Sequence, residues 1–307
     1  MNYDIIILGG GPAGLSAGLY AARAKMRTLI IERKIAGGQI AMTDEISNYP
    51  GTETDLSGEE LARRMREQAE NFGCAFVSEN VVSVDLEGEC KRVTTDEKEY
   101  EASAVILAMG AHPRKLGIEN EEKFSGRGIS FCATCDAPFF EGLDTYVVGG
   151  GDSAVEEAIF ISKFAKRVTI IHRRDELRAA KSIQERAFEN PKIEFMWDSV
   201  ITGLSGDKRL TSFTVKNVKT GEEKTIGEGA FFGLFVMIGL VPETELVKDA
   251  LKLENGYIVT DENMSCGIPG VYAAGDIRKK EVRQVVTATS DGAIAAVLAA
   301  RYLDEKK

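Results

Sequence analysis

Cys132 and Cys135 stand two residues apart in FCATCDAPFF, residues 131–140, and Asp136 follows them directly. Two thiols at that spacing can hold a metal ion, cross-link the chain, or carry two electrons as a disulfide opens and closes. A structural zinc needs four ligands. Neither His112 nor His172 is near the pair in sequence, and no second CxxC or HxxxH completes a set, so a zinc knuckle is poorly supported. The other cysteines, Cys74, Cys90 and Cys266, stand alone, and an odd total of five does not resemble a secreted disulfide framework. Those three read as partly buried small apolar side chains.

A second chemistry is dinucleotide binding. In YDIIILGGGPAG a β-branched run leads into GxGxxG at Gly9, Gly11 and Gly14, and the helical pattern LSAGLYAARA follows. The glycines allow a tight turn and bring a pyrophosphate against backbone N–H groups at a helix start. A second strand, RTLIIE, ends in Glu32, 18 residues after Gly14, where a carboxylate accepts from the hydroxyls of an adenosine ribose. The unit returns in TYVVGGGDSAVEEAIFISKFAKRVTIIHRRDELRA, with Gly149, Gly151 and Ala154 in the fingerprint places. Its second strand ends in His172, Arg173 and Arg174 instead of a carboxylate, with Arg178 expected one helical turn beyond. Guanidinium groups bind a 2′-phosphate that a carboxylate would repel, so this cradle is expected to prefer NADPH to NADH.

Near the C-terminus, GVYAAGDIRKKEVRQVVTATSDGAIAAVLAARYL reads as a strand, a loop and a long apolar-faced helix. Asp276 is placed to accept from a ribityl hydroxyl, and the amides near Gln284 and Val285 can stabilise negative charge on a reduced flavin. A chain of 307 residues is long for one core and suggests two domains. The net charge of −10 and the lack of any Lys/Arg block argue against nucleic acid. MNYDIIILGGG reads as a first strand instead of a signal segment. The most apolar stretch, residues 230–241, has two glycines and falls well short of the ~20 residues a membrane span needs. No membrane association is expected, and a cytoplasmic location is inferred.

GGGPAGLSAGLYAARA, CATCD, GGGDSAVEEA, HRRDELRA and AAGDIR…RQ, in this order across nearly the whole chain, resemble the low-molecular-weight thioredoxin reductases of the flavin-dependent pyridine nucleotide-disulfide oxidoreductase family. The resemblance implies an α/β protein of two Rossmann-like, doubly wound, three-layer nucleotide-binding domains, the second inserted into the first. The FAD domain would comprise residues 1–113 and 244–307, and the NADPH domain, carrying the CxxC, residues 114–243. The joints are legible: AMGAHPRK has Gly110 and Pro113, and MIGLVPET has Gly239 and Pro242. Carried over by position, FAD contacts would come from Gly9, Gly11, Gly14, Glu32, Gly38 and Gln39, and further from Asn48, Val82, Gly110, Asp276, Arg283 and Gln284. NADPH contacts would come from Gly151, Asp152, Ser153 and Glu156, with His172, Arg173, Arg174 and Arg178.

By the same resemblance Cys135 faces the flavin, Cys132 attacks the partner, and electrons run from NADPH to FAD to the Cys132/Cys135 disulfide to thioredoxin. A pair at a helix start sits in an electropositive setting that favours thiolate, and Asp136 can pass a proton to or from a departing thiolate. A homodimer is implied, as is rotation of the NADPH domain at the two joints, with Phe139 and Phe140 as candidate docking residues for thioredoxin. The nearest alternative is a reductase of the same architecture that takes electrons from ferredoxin or delivers them to a glutaredoxin-like or peroxidase protein.

Overall fold

Ile5, Ile6 and Ile7 have no exposed surface at all, as expected of a β-branched run covered on both sides. They lie in β1 (Asn2–Leu8) of a computed structural model that describes residues 2–43, 46, 48–53, 56–227 and 229–306. The chain divides into two compact units, one of Met1–His112 with Val241–Lys307 and one of Pro113–Leu240.

In chain order the first unit supplies β1, helix α1 (Pro12–Arg23), β2 (Thr28–Glu32), α2 (Gly58–Asn71), β3 (Ala75–Ser78), β4 (Val81–Asp85), β5 (Lys91–Thr95) and β6 (Glu99–Leu107). β7 (Ala111–Pro113) leads into the second unit. There follow α3 (Glu121–Phe124), β8 (Ile129–Ser130), α4 (Ala133–Asp136), β9 (Asp144–Val148), α5 (Asp152–Ile161), β10 (Arg167–Ile171), α6 (Lys181–Phe188) and β11 (Ile193–Met196). β12 (Ser199–Gly206), β13 (Leu210–Asn217), β14 (Glu223–Ile226) and β15 (Gly233–Val236) complete it, and β16 (Leu240–Pro242) leads back. The first unit then closes with β17 (Leu253–Glu254), β18 (Tyr257–Ile258), β19 (Val271–Ala273) and α7 (Val285–Asp304).

The first sheet runs β3-β2-β1-β6, all parallel. The far edge of β6 is shared: β5 pairs antiparallel along Glu99–Ala102, and β19 pairs parallel along Val105–Leu107. One face packs on α1, α2 and α7 through Ile5, Ile7, Ala17 and Ala295. The other face, with Ile6, Leu8 and Ile31, packs under Leu86, Val93, Val247 and Ile258. The inserted unit repeats the plan. Its parallel sheet, β11-β10-β9-β15-β8, buries Val147, Ile170 and Phe235 against α4, α5 and α6, and buries Val148, Ile171 and Leu234 against the antiparallel β12-β13-β14.

Both units are three-layer α/β folds with Rossmann-like parallel sheets, as the family resemblance implies. The layer opposite the helices is built of strands and short irregular segments. β4 and β5 are antiparallel neighbours on a short connection, and so are β12 and β13. Only parallel neighbours need the long helical crossovers that would put helices there.

Candidate functional site

Two strand ends deliver two loops of the same design. At the first, Gly9 has φ +103°, and a Cβ there would lie 2.4 Å from the Ala108 carbonyl oxygen. A Cβ on Gly14 would lie 1.9 Å from the Gly9 oxygen, so α1 begins closer to β1 than any side chain permits. At Gly11 the space is open, its nearest neighbour being the Gly37 oxygen at 4.0 Å. These are the separate tasks of the three glycines: tight turn, close helix packing, and free backbone approach for a pyrophosphate. Glu32, at the end of β2, accepts the Gly10 N–H at 2.7 Å through Oε2 and the Lys34 N–H at 2.9 Å through Oε1. The carboxylate is thereby fixed beside the loop.

The other residues expected at this cradle belong to the same unit. Gly38 opens a short 3₁₀ segment with its Cα face toward Gly11. Gln39 donates to the Ala111 carbonyl, just beyond Gly110, which has φ +72°. Asn48 donates to Gln284 Oε1 at 3.2 Å, and Gln284 caps α7 reciprocally with Thr287. Val82, on β4, presents an exposed side chain.

Asp276 sits in a 3₁₀ turn, Gly275–Ile277, below the start of α7. Its Oδ1 is buried with no hydrogen-bond partner, and burial, only partly opposed by Lys280 and Arg283, raises its carboxyl above the ordinary range. The Arg283 Nε is also buried and unpartnered, with its guanidinium 4.3 Å from the Tyr257 ring. Orphaned buried polar atoms are rare and call for a partner. A buried acceptor beside a buried donor fits a hydroxyl-rich, anionic group such as the ribityl pyrophosphate of FAD. Asp291, one-tenth exposed, was not anticipated. It accepts the Gly275 N–H at 3.0 Å and pairs with Arg278 at 2.9 Å and Lys280 at 2.8 Å, which fixes the turn that carries Asp276. Its signal was a lone carboxylate in the small-residue run TATSDGAIAA.

In the inserted unit Gly149 has φ +150°, and a Cβ on it would meet the Met237 oxygen at 2.5 Å. The His172 ring packs on Gly150, where a Cβ would lie 2.3 Å from Nδ1. His172 is buried, its Nε2 has no partner, and burial with the charges of Arg178, Arg174 and Arg173 holds it below its ordinary value. Arg173, Arg174 and Arg178 are exposed, and none forms an ion pair among the described residues. The expectation that Arg178 lies a helical turn beyond is corrected: residues 172–180 form no helix, and α6 starts only at Lys181. Instead the Arg178 N–H donates to the Gly150 oxygen at 2.7 Å, which returns the loop to the glycines. The Asp152 carboxylate accepts the Ala180 N–H at 2.7 Å and holds the same return. Ser153 and Glu156 are exposed on the first turns of α5, and Gly151 caps that helix. Three exposed guanidiniums without an ion pair among the described residues, and an imidazole whose Nε2 has no partner, fit a 2′-phosphate.

Cys132 and Cys135 form a disulfide. Cys132 caps the single turn α4, and its Sγ accepts the Cys135 N–H at 3.2 Å. The electropositive setting thus comes from one aimed amide more than from a helix dipole, since α4 has four residues. Asp136 closes the turn, its N–H donating to the Cys132 oxygen at 3.1 Å and its Oδ2 accepting from Ser130 at 2.5 Å. Burial pushes the thiols of Cys74 and Cys266 up to about 12. Cys90 is exposed, against the expectation of partial burial, because it lies in the turn between β4 and β5. Phe139 is 43% exposed, whereas Phe140 is core, edge-on to Phe235 at 5.4 Å. Phe140 is thus removed from the candidate docking surface. Among the described residues no group of His, Cys, Asp and Glu is placed to hold a metal.

The pyridine nucleotide-disulphide oxidoreductase family matches residues 3–292. A thioredoxin reductase of Peptoclostridium acidaminophilum is 52% identical over 306 residues, which cover 98% of this chain and 97% of that protein. One of Treponema pallidum is 48% identical over 303 residues, 99% and 98% of the two chains. The crystal structure of thioredoxin reductase from Streptococcus pyogenes superposes with a TM-score of 0.93 at 45% identity over 99% of both chains.

Proposed function

Because the chain belongs to the pyridine nucleotide-disulphide oxidoreductases, and among them to the thioredoxin reductases, we propose a division of labour among its residues. The enzyme uses NADPH and FAD to reduce thioredoxin through the Cys132–Cys135 disulfide. FAD supplies the two-electron relay between nicotinamide and disulfide. In our reading the unit of Met1–His112 and Val241–Lys307 holds FAD and the unit of Pro113–Leu240 holds NADPH. Gly11 admits the FAD pyrophosphate, Glu32 receives the adenosine ribose, and Asp276 receives the ribityl chain with Arg283 and Gln284 beside it. Gly38, Gln39, Asn48, Val82 and Gly110 complete that site.

NADPH is seated by Gly151, Ser153 and Glu156, while Asp152 holds the loop that aims the arginines. His172 with Arg173, Arg174 and Arg178 takes the 2′-phosphate. Cys132 attacks thioredoxin, Cys135 exchanges electrons with the flavin, and Asp136 moves the proton. The observation that carries this reading is the disulfide itself, formed at a helix cap with an amide on the first sulfur and a carboxylate one residue past the second. An anaerobic titration tests it. NADPH is expected to bleach the flavin absorbance, and an oxidised thioredoxin to restore it. Bleaching by reduced ferredoxin but not by NADPH would instead assign a protein electron donor.

Homodimerisation is part of the same reading, supported by Ile294 and Val297, which α7 leaves 37% and 43% exposed. Sedimentation equilibrium checks it. A cytoplasmic location is supported by the three unpaired cysteines, and no helix among the described residues is long and apolar enough to cross a membrane.

A further inference from the structure

Ser130 ends β8, two residues before the redox turn, and is only 4% exposed. Its pairing with Phe235 of β15 fixes its backbone at the edge of the parallel sheet. From there its hydroxyl reaches three atoms. It donates to Asp136 Oδ2 at 2.5 Å, lies 3.2 Å from the Cys132 carbonyl oxygen, and accepts the Cys132 N–H at 3.1 Å.

A hydroxyl has one proton and two lone pairs, so only one of the two oxygens receives it at a time. When Asp136 is ionised, the charge-assisted bond to the carboxylate is the stronger. When Asp136 is protonated, the carboxyl donates to Ser130 Oγ, and the hydroxyl turns to the Cys132 carbonyl. The N–H of Cys132 is accepted in both states. One bond rotation therefore satisfies the whole cluster whichever way Asp136 is loaded, and the redox turn need not move.

We propose that Ser130 is a positioning residue for the proton that Asp136 transfers during thiol–disulfide interchange. The proposal rests on the reading of Asp136 as proton carrier. In the interchange, the Cys132 thiolate attacks one sulfur of the thioredoxin disulfide. That bond breaks, a mixed disulfide forms, and the departing thioredoxin sulfur takes the proton of Asp136. The Cys135 thiolate then attacks the Cys132 sulfur, restoring the Cys132–Cys135 disulfide. The second thioredoxin thiolate leaves and takes a proton from solvent, so two electrons and two protons end on thioredoxin. The titratable groups on elements packed against α4 are the two cysteines of the turn itself and Asp152, Glu156 and Glu157 of α5, the last with its carboxyl raised by burial. β8 and the following Ala137–Phe140 turn contribute none.

The test uses the complete flavoenzyme, reduced anaerobically and mixed with oxidised thioredoxin in a stopped-flow instrument across pH, with Ser130→Ala, Asp136→Asn and the double variant. NADPH reduction of the flavin is measured separately as a check on folding and cofactor loading. Ser130→Ala is expected to leave flavin reduction within about twofold, to slow interchange about tenfold on the low-pH plateau, where Asp136 carries its proton in both enzymes but the hydroxyl no longer orients it, and to move the high-pH limb of the profile up by about one unit, because a carboxylate that loses a donor holds its proton more firmly. In the Asp136→Asn background the same substitution is expected to add nothing. An unchanged rate and profile in Ser130→Ala, or fully additive losses in the double variant, would overturn the inference. A normal rate in Asp136→Asn would overturn the proton role of Asp136 itself, and the inference with it; that failure is read from its own variant.

Discussion

Arg173, Arg174 and Arg178 gather beside His172 with no ion pair to a carboxylate among the described residues, an arrangement that raises local repulsion unless an anion arrives. Replacing Arg173 and Arg174 by Ala removes charge-assisted contacts worth about 1.5–3 kcal/mol each, or roughly ten- to a hundredfold in affinity apiece. The expected result is a large rise in KM for NADPH with little change for NADH, measured as flavin reduction against coenzyme concentration; equal losses for both would mean these arginines do not read the 2′-phosphate. The cysteine pair gives a sharper outcome. Cys132→Ser and Cys135→Ser are each expected to abolish thioredoxin reduction while flavin reduction by NADPH persists. Cys74 and Cys266 cannot substitute, because burial holds both thiols protonated at neutral pH. At this scale the sequence was a good guide wherever a motif fixes a local geometry. Gly9, Glu32 and Cys132 stand where their spacing placed them. Ser130 and Asp291 escaped notice because their roles depend on partners brought near by folding: a redox turn for Ser130, and Gly275, Arg278 and Lys280 for Asp291. A single Ser or Asp carries no such information in a linear reading.

Helices α1 and α7 decide whether the first cradle exists at all. A Cβ on Gly292 of α7 would lie 2.0 Å from the Ala13 carbonyl oxygen and 3.1 Å from the Ala17 N, so the two backbones meet without an intervening side chain. The contact holds α7, which carries Asp291 and the Gln284 cap, against the helix that opens from Gly11. Gly292→Ala is expected to destabilise the protein by about 1–3 kcal/mol through overpacking and to loosen FAD. A lowered thermal unfolding midpoint with flavin release at lower temperature checks it, and an unchanged midpoint would show that α7 shifts freely. Periodicity and glycine placement foretold both helices and the strands before them. The antiparallel layers were not foretold, since β4, β5 and β12–β14 carry no motif of their own and their partners are set by the sheets they cover. The return of residues 172–180 to Gly150 was also hidden. A run of charged residues reads as a helix start until a backbone bond such as Arg178 N–H to Gly150 is seen.

For the molecule as a whole, chain order sets a problem that no single residue solves. The disulfide and the second cradle lie in one unit and the first cradle in the other. The nicotinamide and the disulfide must each reach the same flavin ring, and a rigid arrangement could hardly seat both at once. We infer that the units alternate by turning at their two connections. Gly110 (φ +72°) and Gly239 (φ +107°) stand at those connections, with nothing within 4 Å of a built Cβ at either, so the glycines are required by backbone conformation and not by crowding. Each crossing also keeps a backbone hydrogen bond to the other: the Glu243 N–H donates to the Gly110 oxygen at 3.0 Å, and the Arg114 N–H to the Gly239 oxygen at 2.9 Å. A reversible disulfide cross-link engineered between the units is therefore expected to permit either flavin reduction by NADPH or electron transfer to the Cys132–Cys135 pair, and to stop thioredoxin turnover until the cross-link is reduced. Quantitative cross-linking is verified by mass spectrometry, and each half-reaction is followed by flavin absorbance. A fully cross-linked enzyme that still turns over thioredoxin at the normal rate would rule out the rotation.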